Sequence, residues 1–139
     1  MKLGAVTLDC ADPVELAPEE RHRRVLPDPA ALAEFYAALL GGKPEAESDD
    51  WIVLYVPGGP RLAFNLAPDH VPPVWPSQPH DQQQFHVDVD AGETWEEVDE
   101  AERRVLGLGA RAVRRADGDD FRVFLDPAGH PFCLCRIAG

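Results

Sequence analysis

At 139 residues the chain is long enough for one domain with a proper core, since about two-thirds of the unfolded surface is buried at that size. Its composition, 45% hydrophobic and 27% charged, is that of an ordinary globular protein, and a formal net charge of −12 repels nucleic-acid backbones and anionic membranes alike. No run approaches the ~20 apolar residues of a membrane span.

Met1-Lys2 leads directly into a strand-like stretch, with no basic segment ahead of a long apolar one. The three cysteines are odd in number and too few for a disulfide framework. A soluble protein of the cytoplasm is expected, with no nucleic-acid and no membrane partner.

Residues 3–10 alternate as a half-buried strand, with Val6, Leu8 and Cys10 on one face and Ala5, Thr7 and Asp9 on the other. A charged stretch over 13–27 follows, rich in Glu and Arg, and has no counterpart later in the chain. Such an insertion is either a lid or a solvated decoration. Asp28-Pro29 then opens a helix, with Asp as N-cap and Pro at the first helical position. Leu32, Phe35, Leu39 and in part Tyr36 form its apolar stripe, and Gly41-Gly42 ends it. A weak edge strand is expected within Lys43–Asp49, then a hairpin with strands at 51–56 and 61–66. Residues 67–83 carry Pro68, Pro72, Pro73, Pro76 and Pro79 and read as an extended linker packed by Val74 and Trp75.

The pattern then starts again. Phe85, Val87 and Val89 alternate with His86, Asp88 and Asp90. Thr94 with Glu97 is a capping box, opening a helix whose expected buried stripe is Trp95, Val98, Ala101, Val105 and Leu108. Arg111–Arg114 reads as an edge strand, and a second hairpin closes the chain. That hairpin repeats the first: Asp50, Val53, Pro57 and Gly59 recur at one fixed offset as Asp120, Val123, Pro127 and Gly129. The expected fold is therefore α+β, one domain over 1–139 built from two β-α-β-β-β repeats (3–66 and 84–136) that form a curved mixed sheet around a central cleft.

In both repeats the faces expected to look away from the helices carry small and polar side chains: Ala5, Thr7, Asp9, Ala63, Asn65, His86, Asp88, Asp90, Cys133 and Cys135. A concavity of that kind is the default ligand site. Trp51, Tyr55 and Trp75 are candidate apolar walls of the cleft or ordinary core residues. His86 with Asp88, and with Asp9 as a further carboxylate, has the composition of a general base and its partner, or of wetted cleft residues bonded to one another. Cys133 and Cys135 share a strand face and read as small thiols in a wall rather than a redox pair.

The duplicated unit, Phe-Tyr-Ala-Ala-Leu-Leu-Gly at 35–41 and Asp-Pro-Ala-Gly-His-Pro-Phe-Cys-Leu at 126–134 resemble the vicinal oxygen chelate superfamily, and within it the glyoxalase-like, bleomycin-resistance-like branch. The resemblance covers the whole chain apart from 13–27. It implies either a dimeric protein that binds a small organic molecule or a lyase, isomerase or dioxygenase acting through His86. It also implies four metal-ligand positions, one on the first and one on the last strand of each repeat. Here the repeat equivalence puts Ala5, Ala63, His86 and Cys133 at those positions. Alanine donates nothing and a Cys/His pair is a poor site for a hard ion, so no metal and no cofactor is expected.

Overall fold

The computed structural model describes residues 1–11, 28–73, 84–114 and 120–137. The expected insertion over 13–27 and most of the linker, Trp75 included, lie outside them. The chain divides into two compact units, Met1–Val71 and Pro72–Gly139.

The first unit holds strand β1 (Ala5–Cys10), helix α1 (Pro29–Leu40), and strands β2 (Pro44–Ser48), β3 (Trp51–Leu54) and β4 (Arg61–Leu66). Its sheet runs β1-β4-β3-β2, with β1 parallel to β4 and the remaining pairs antiparallel. The second unit holds β5 (Val87–Gly92), helix α2 (Trp95–Gly107), β6 (Arg111–Arg114), β7 (Phe121–Leu125) and β8 (Pro131–Arg136). Its sheet runs β5-β8-β7-β6 with the same pairing senses.

The repeat extends to details that no hydrophobic pattern records. A bulge interrupts β2 between Ala46 and Ser48, and one interrupts β6 between Ala112 and Arg114. The Leu66 N–H donates to the Asp50 carbonyl at 2.9 Å, and the Arg136 N–H to the Asp120 carbonyl at 2.7 Å. The two hairpin turns differ, however. In the first, Gly58 takes a φ of 75° at the third turn position. Ala128 holds that position in the second and its Cβ disfavours the left-handed region, so Gly129 takes the positive φ of 89° instead. The Asp126 carboxylate, buried, accepts from the Ala128 and His130 N–H groups at 2.9 Å each and fixes this turn.

Both helices start as their caps require. The Asp28 carboxylate accepts from the Ala31 N–H at 2.7 Å. Thr94 accepts from the Glu97 N–H at 3.2 Å while the Glu97 carboxylate accepts from the Thr94 N–H at 3.0 Å. Those backbone donors, Thr94 first and then Glu93, hold the Glu97 carboxyl below its ordinary range. Helix α1 buries Leu32, Ala33, Phe35 and Tyr36 against the sheet face formed by Leu8, Ile52, Leu54, Leu62 and Phe64. Tyr36 stacks on Phe64 with ring centroids 5.7 Å apart, a contact worth about 1 kcal/mol beyond burial.

Helix α2 packs differently from the sequence expectation. Val98 and Val105 are buried as expected, but Trp95 is 38% exposed and Leu108 is 36% exposed. Leu108 is the residue that caps the helix C-terminus, beyond the last buried turn. Trp95 lies across two guanidiniums, those of Arg122 and Arg136, each 5.1 Å from its ring centroid. Phe85, also expected on the helix side, is 68% exposed, because the strand begins only at Val87.

The reason for the Trp95 arrangement is Arg122. The register pairs Arg122 with Leu134 and so places it on the sheet face under α2, where it is only 9% exposed. Its guanidinium meets Glu102 at 2.6 Å and Asp99 at 2.7 Å, both from α2. Burial works against this charge, but the two carboxylates outweigh it and raise the pKa. In the second unit the helix is thus held by a charged clasp, whereas the buried residues Leu32, Ala33, Phe35 and Tyr36 pack the helix of the first. Arg122→Ala should cost about 3 kcal/mol in urea unfolding, because Asp99 and Glu102 lose the guanidinium they share, and Arg122→Met, which removes the same charge, should recover only what its aliphatic stem packs.

Candidate functional site

The ladder registers decide which side chains share each sheet face. In the first unit Thr7 pairs with Ala63, Asp9 with Asn65, Asn65 with Trp51, and Ala63 with Val53. All of these therefore lie on the face away from α1, and the alternation puts Ala5 there too. Trp51 and Val53 belong to this face, a point the sequence leaves open. The Asn65 amide donates to Asp9 at 3.1 Å. Arg61 reaches over the exposed Tyr55 ring at 5.9 Å and donates to the Gly4 carbonyl at 3.1 Å. Thr7, Asp9 and Ala5 are exposed, Trp51 and Asn65 half-buried, and Ala63 buried.

In the second unit Asp88 pairs with Cys133, Asp90 with Cys135, Cys133 with Val123, and Cys135 with Phe121. This face lies away from α2 and carries every second-repeat residue expected to line a site. His86, just ahead of β5, turns to the same side: its Nε2 lies 3.2 Å from the Asp88 Oδ1. The Cys133 thiol lies beside the same carboxylate. Imidazole, carboxylate and thiol thus converge on one spot, with one ligand atom from each lying within 4.8 Å of the others.

The thiols are held protonated. Burial first, then the Asp88 charge and Cys135, push the Cys133 pKa up to about 12, and burial with Asp88 and Asp90 raises that of Cys135. Neither is an activated nucleophile. Sequence reasoning found His86 and Asp88 but missed the junction of Asp88 with Cys133, because the register of β5 against β8 cannot be read from either strand alone.

The sequence of residues 25–135 matches the family model for the glyoxalase-like domain. The chain belongs to the glyoxalase-like domain family. Solved structures with the same fold include a possible glyoxalase from Bacillus cereus, 17% identical, with 97% of this chain and 98% of that one covered and a TM-score of 0.64. A glyoxalase-related enzyme from Fulvimarina pelagi is 19% identical over 96% of this chain and 86% of the other, at a TM-score of 0.63. A mutant of a genomically encoded fosfomycin resistance protein from Listeria monocytogenes, complexed with Mn(II) and 1S,2S-dihydroxypropylphosphonic acid, is 15% identical over 98% and 89%, at a TM-score of 0.59. A comparison with curated proteins returned no match.

The donor set here does not fit a hard ion of the manganese kind. Of the four positions that the family resemblance marks, Ala5 and Ala63 have no ligand atom and Cys133 offers a soft, protonated sulfur.

The raised Cys133 pKa has a measurable consequence. Below pH 9.0, the ordinary thiol value, folded and unfolded chains both keep the proton; from there toward about 12 only the unfolded chain releases it. Stability contributed by this thiol should fall across that window. Thermal unfolding followed against pH should show a shallower alkaline decline in Cys133→Ala than in the wild type.

Proposed function

We propose that this glyoxalase-like protein binds a small, partly aromatic organic molecule against a sheet face that looks away from its helix, and does so without the metal set of its superfamily. The observation that supports this most is the segregation of polar groups: Asp9 with Asn65, and His86 with Asp88 and Cys133, all lie on such faces while the helix faces are closed by packing. A site of this kind takes orientation from a few fixed polar groups and area from aromatic walls, which in the first unit are Asp9 with Asn65 and Trp51 with Tyr55. The protein acts as a homodimer in the cytoplasm on this reading.

A second reading has its own support. With an imidazole 3.2 Å from a carboxylate, His86 has what a general base needs, and the reaction class would be proton abstraction next to a carbonyl, as in a lyase or isomerase. A dioxygenase has no comparable support in this donor set.

A thermal-shift screen of the whole chain against small aromatic and carbonyl compounds, with and without a chelator, separates the outcomes. Binding predicts a dose-dependent rise in Tm that the chelator leaves unchanged and that Trp51→Ala reduces. No stabilisation by any compound class would count against it, and turnover abolished by His86→Ala would favour the enzyme. Light scattering should give twice the chain mass; a monomer would overturn the dimer.

A further inference from the structure

We propose that His86, Asp88 and Cys133 form a binding site for a thiophilic divalent cation of the zinc or cadmium class. The proposal does not rest on the organic-ligand reading; His86 and Cys133 stand at two of the four positions the resemblance marks, and Asp88, which is not one of them, completes a set of three within one unit.

The geometry is that of three donors on adjoining pieces of chain. Parallel pairing of β5 with β8 sets Asp88 opposite Cys133, and His86 enters from the residue just ahead of β5. Bonds from zinc to nitrogen, oxygen and sulfur run from about 2.0 to 2.3 Å, so neighbouring ligand atoms around a tetrahedral ion stand about 3.3 to 3.7 Å apart. The His86 Nε2 and Asp88 Oδ1, at 3.2 Å, are already at that spacing. With all three ligand atoms inside 4.8 Å of one another, closing the set needs a shift of about 1 Å, within reach of side-chain rotation.

The chemistry selects the ion. A thiol, an imidazole and a single carboxylate favour a borderline or soft cation over magnesium, calcium or manganese, which prefer oxygen alone. Coordination replaces the S–H proton of Cys133, which passes to solvent, and the cation's charge offsets the burial and the Asp88 charge that otherwise oppose the thiolate. Cys133 is 3% exposed, so the thiol forms the floor of the site. Asp88 is exposed and His86 half-buried, which leaves an entry path and a fourth position for water or a ligand atom.

The test is a titration of the whole chain with Cd2+, read by the ultraviolet thiolate-to-cadmium charge-transfer band, with Zn2+ as competitor. One equivalent should saturate the band, Zn2+ should abolish it, and excess Mg2+ should leave it unchanged. Cys133→Ser should remove the band, and Asp88→Asn should weaken Cd2+ binding by about tenfold or more. Cys135→Ser should keep both band and affinity. Asp88 is exposed, so its variant reports on binding even if replacing the buried Cys133 unfolds the chain, which circular dichroism would reveal. No saturable band in the wild type, a band that survives in folded Cys133→Ser, one that Cys135→Ser removes, or an Asp88→Asn affinity equal to the wild type's would each overturn the proposal.

Discussion

Each unit depends on one pairing: its first strand lies parallel to its last, β1 beside β4 and β5 beside β8. That ladder fixes which face each strand buries, because one residue of slippage would turn every side chain over. With the observed register, Leu8, Leu62 and Phe64 in one unit and Phe132 and Leu134 in the other meet the helix, and their neighbours in sequence are released to the opposite face. The polar residues on that second face are there because the helix can seal only one side. Function, on this account, is built from what the core leaves over.

Much of this was legible in the sequence. Recurrence of Asp50, Val53, Pro57 and Gly59 as Asp120, Val123, Pro127 and Gly129 announces a duplicated hairpin, and the structure gives the two hairpins the same strand pairing. The Asp28 and Thr94 caps were plain because capping is a local matter of a side-chain oxygen and nearby N–H groups. Long-range charge was not legible. Arg122 sits in an alternating strand at a position where an aliphatic residue is expected, and its partners Asp99 and Glu102 belong to another element. Without knowledge of that clasp, Trp95 reads as core, whereas it lies across the two arginines at the rim.

The same limit applied to the candidate site. Alternation alone puts His86 and Asp88 on one face, and their side chains stand 3.2 Å apart. It does not say which residue of β8 faces Asp88, and that residue is Cys133. Family membership does not supply the chemistry either, since similarity below 20% identity to the solved structures carries the fold alone. The chain's own donor set is what any chemistry must use: Ala5 and Ala63 contribute no ligand atom, and the Cys133 thiol lies beside the Asp88 carboxylate.

The central assertion is that the His86 ring stands with Asp88 on the sheet face turned from α2, not under the helix. Nitrogen NMR of the His86 imidazole tests it most directly, comparing the wild type with Asp88→Asn and with Val98→Ala, a change in the buried face of α2. The account predicts that the Asp88 change moves the Nε2 resonance while the Val98 change leaves it in place. A His86 ring that ignores Asp88 and responds to Val98 would contradict it.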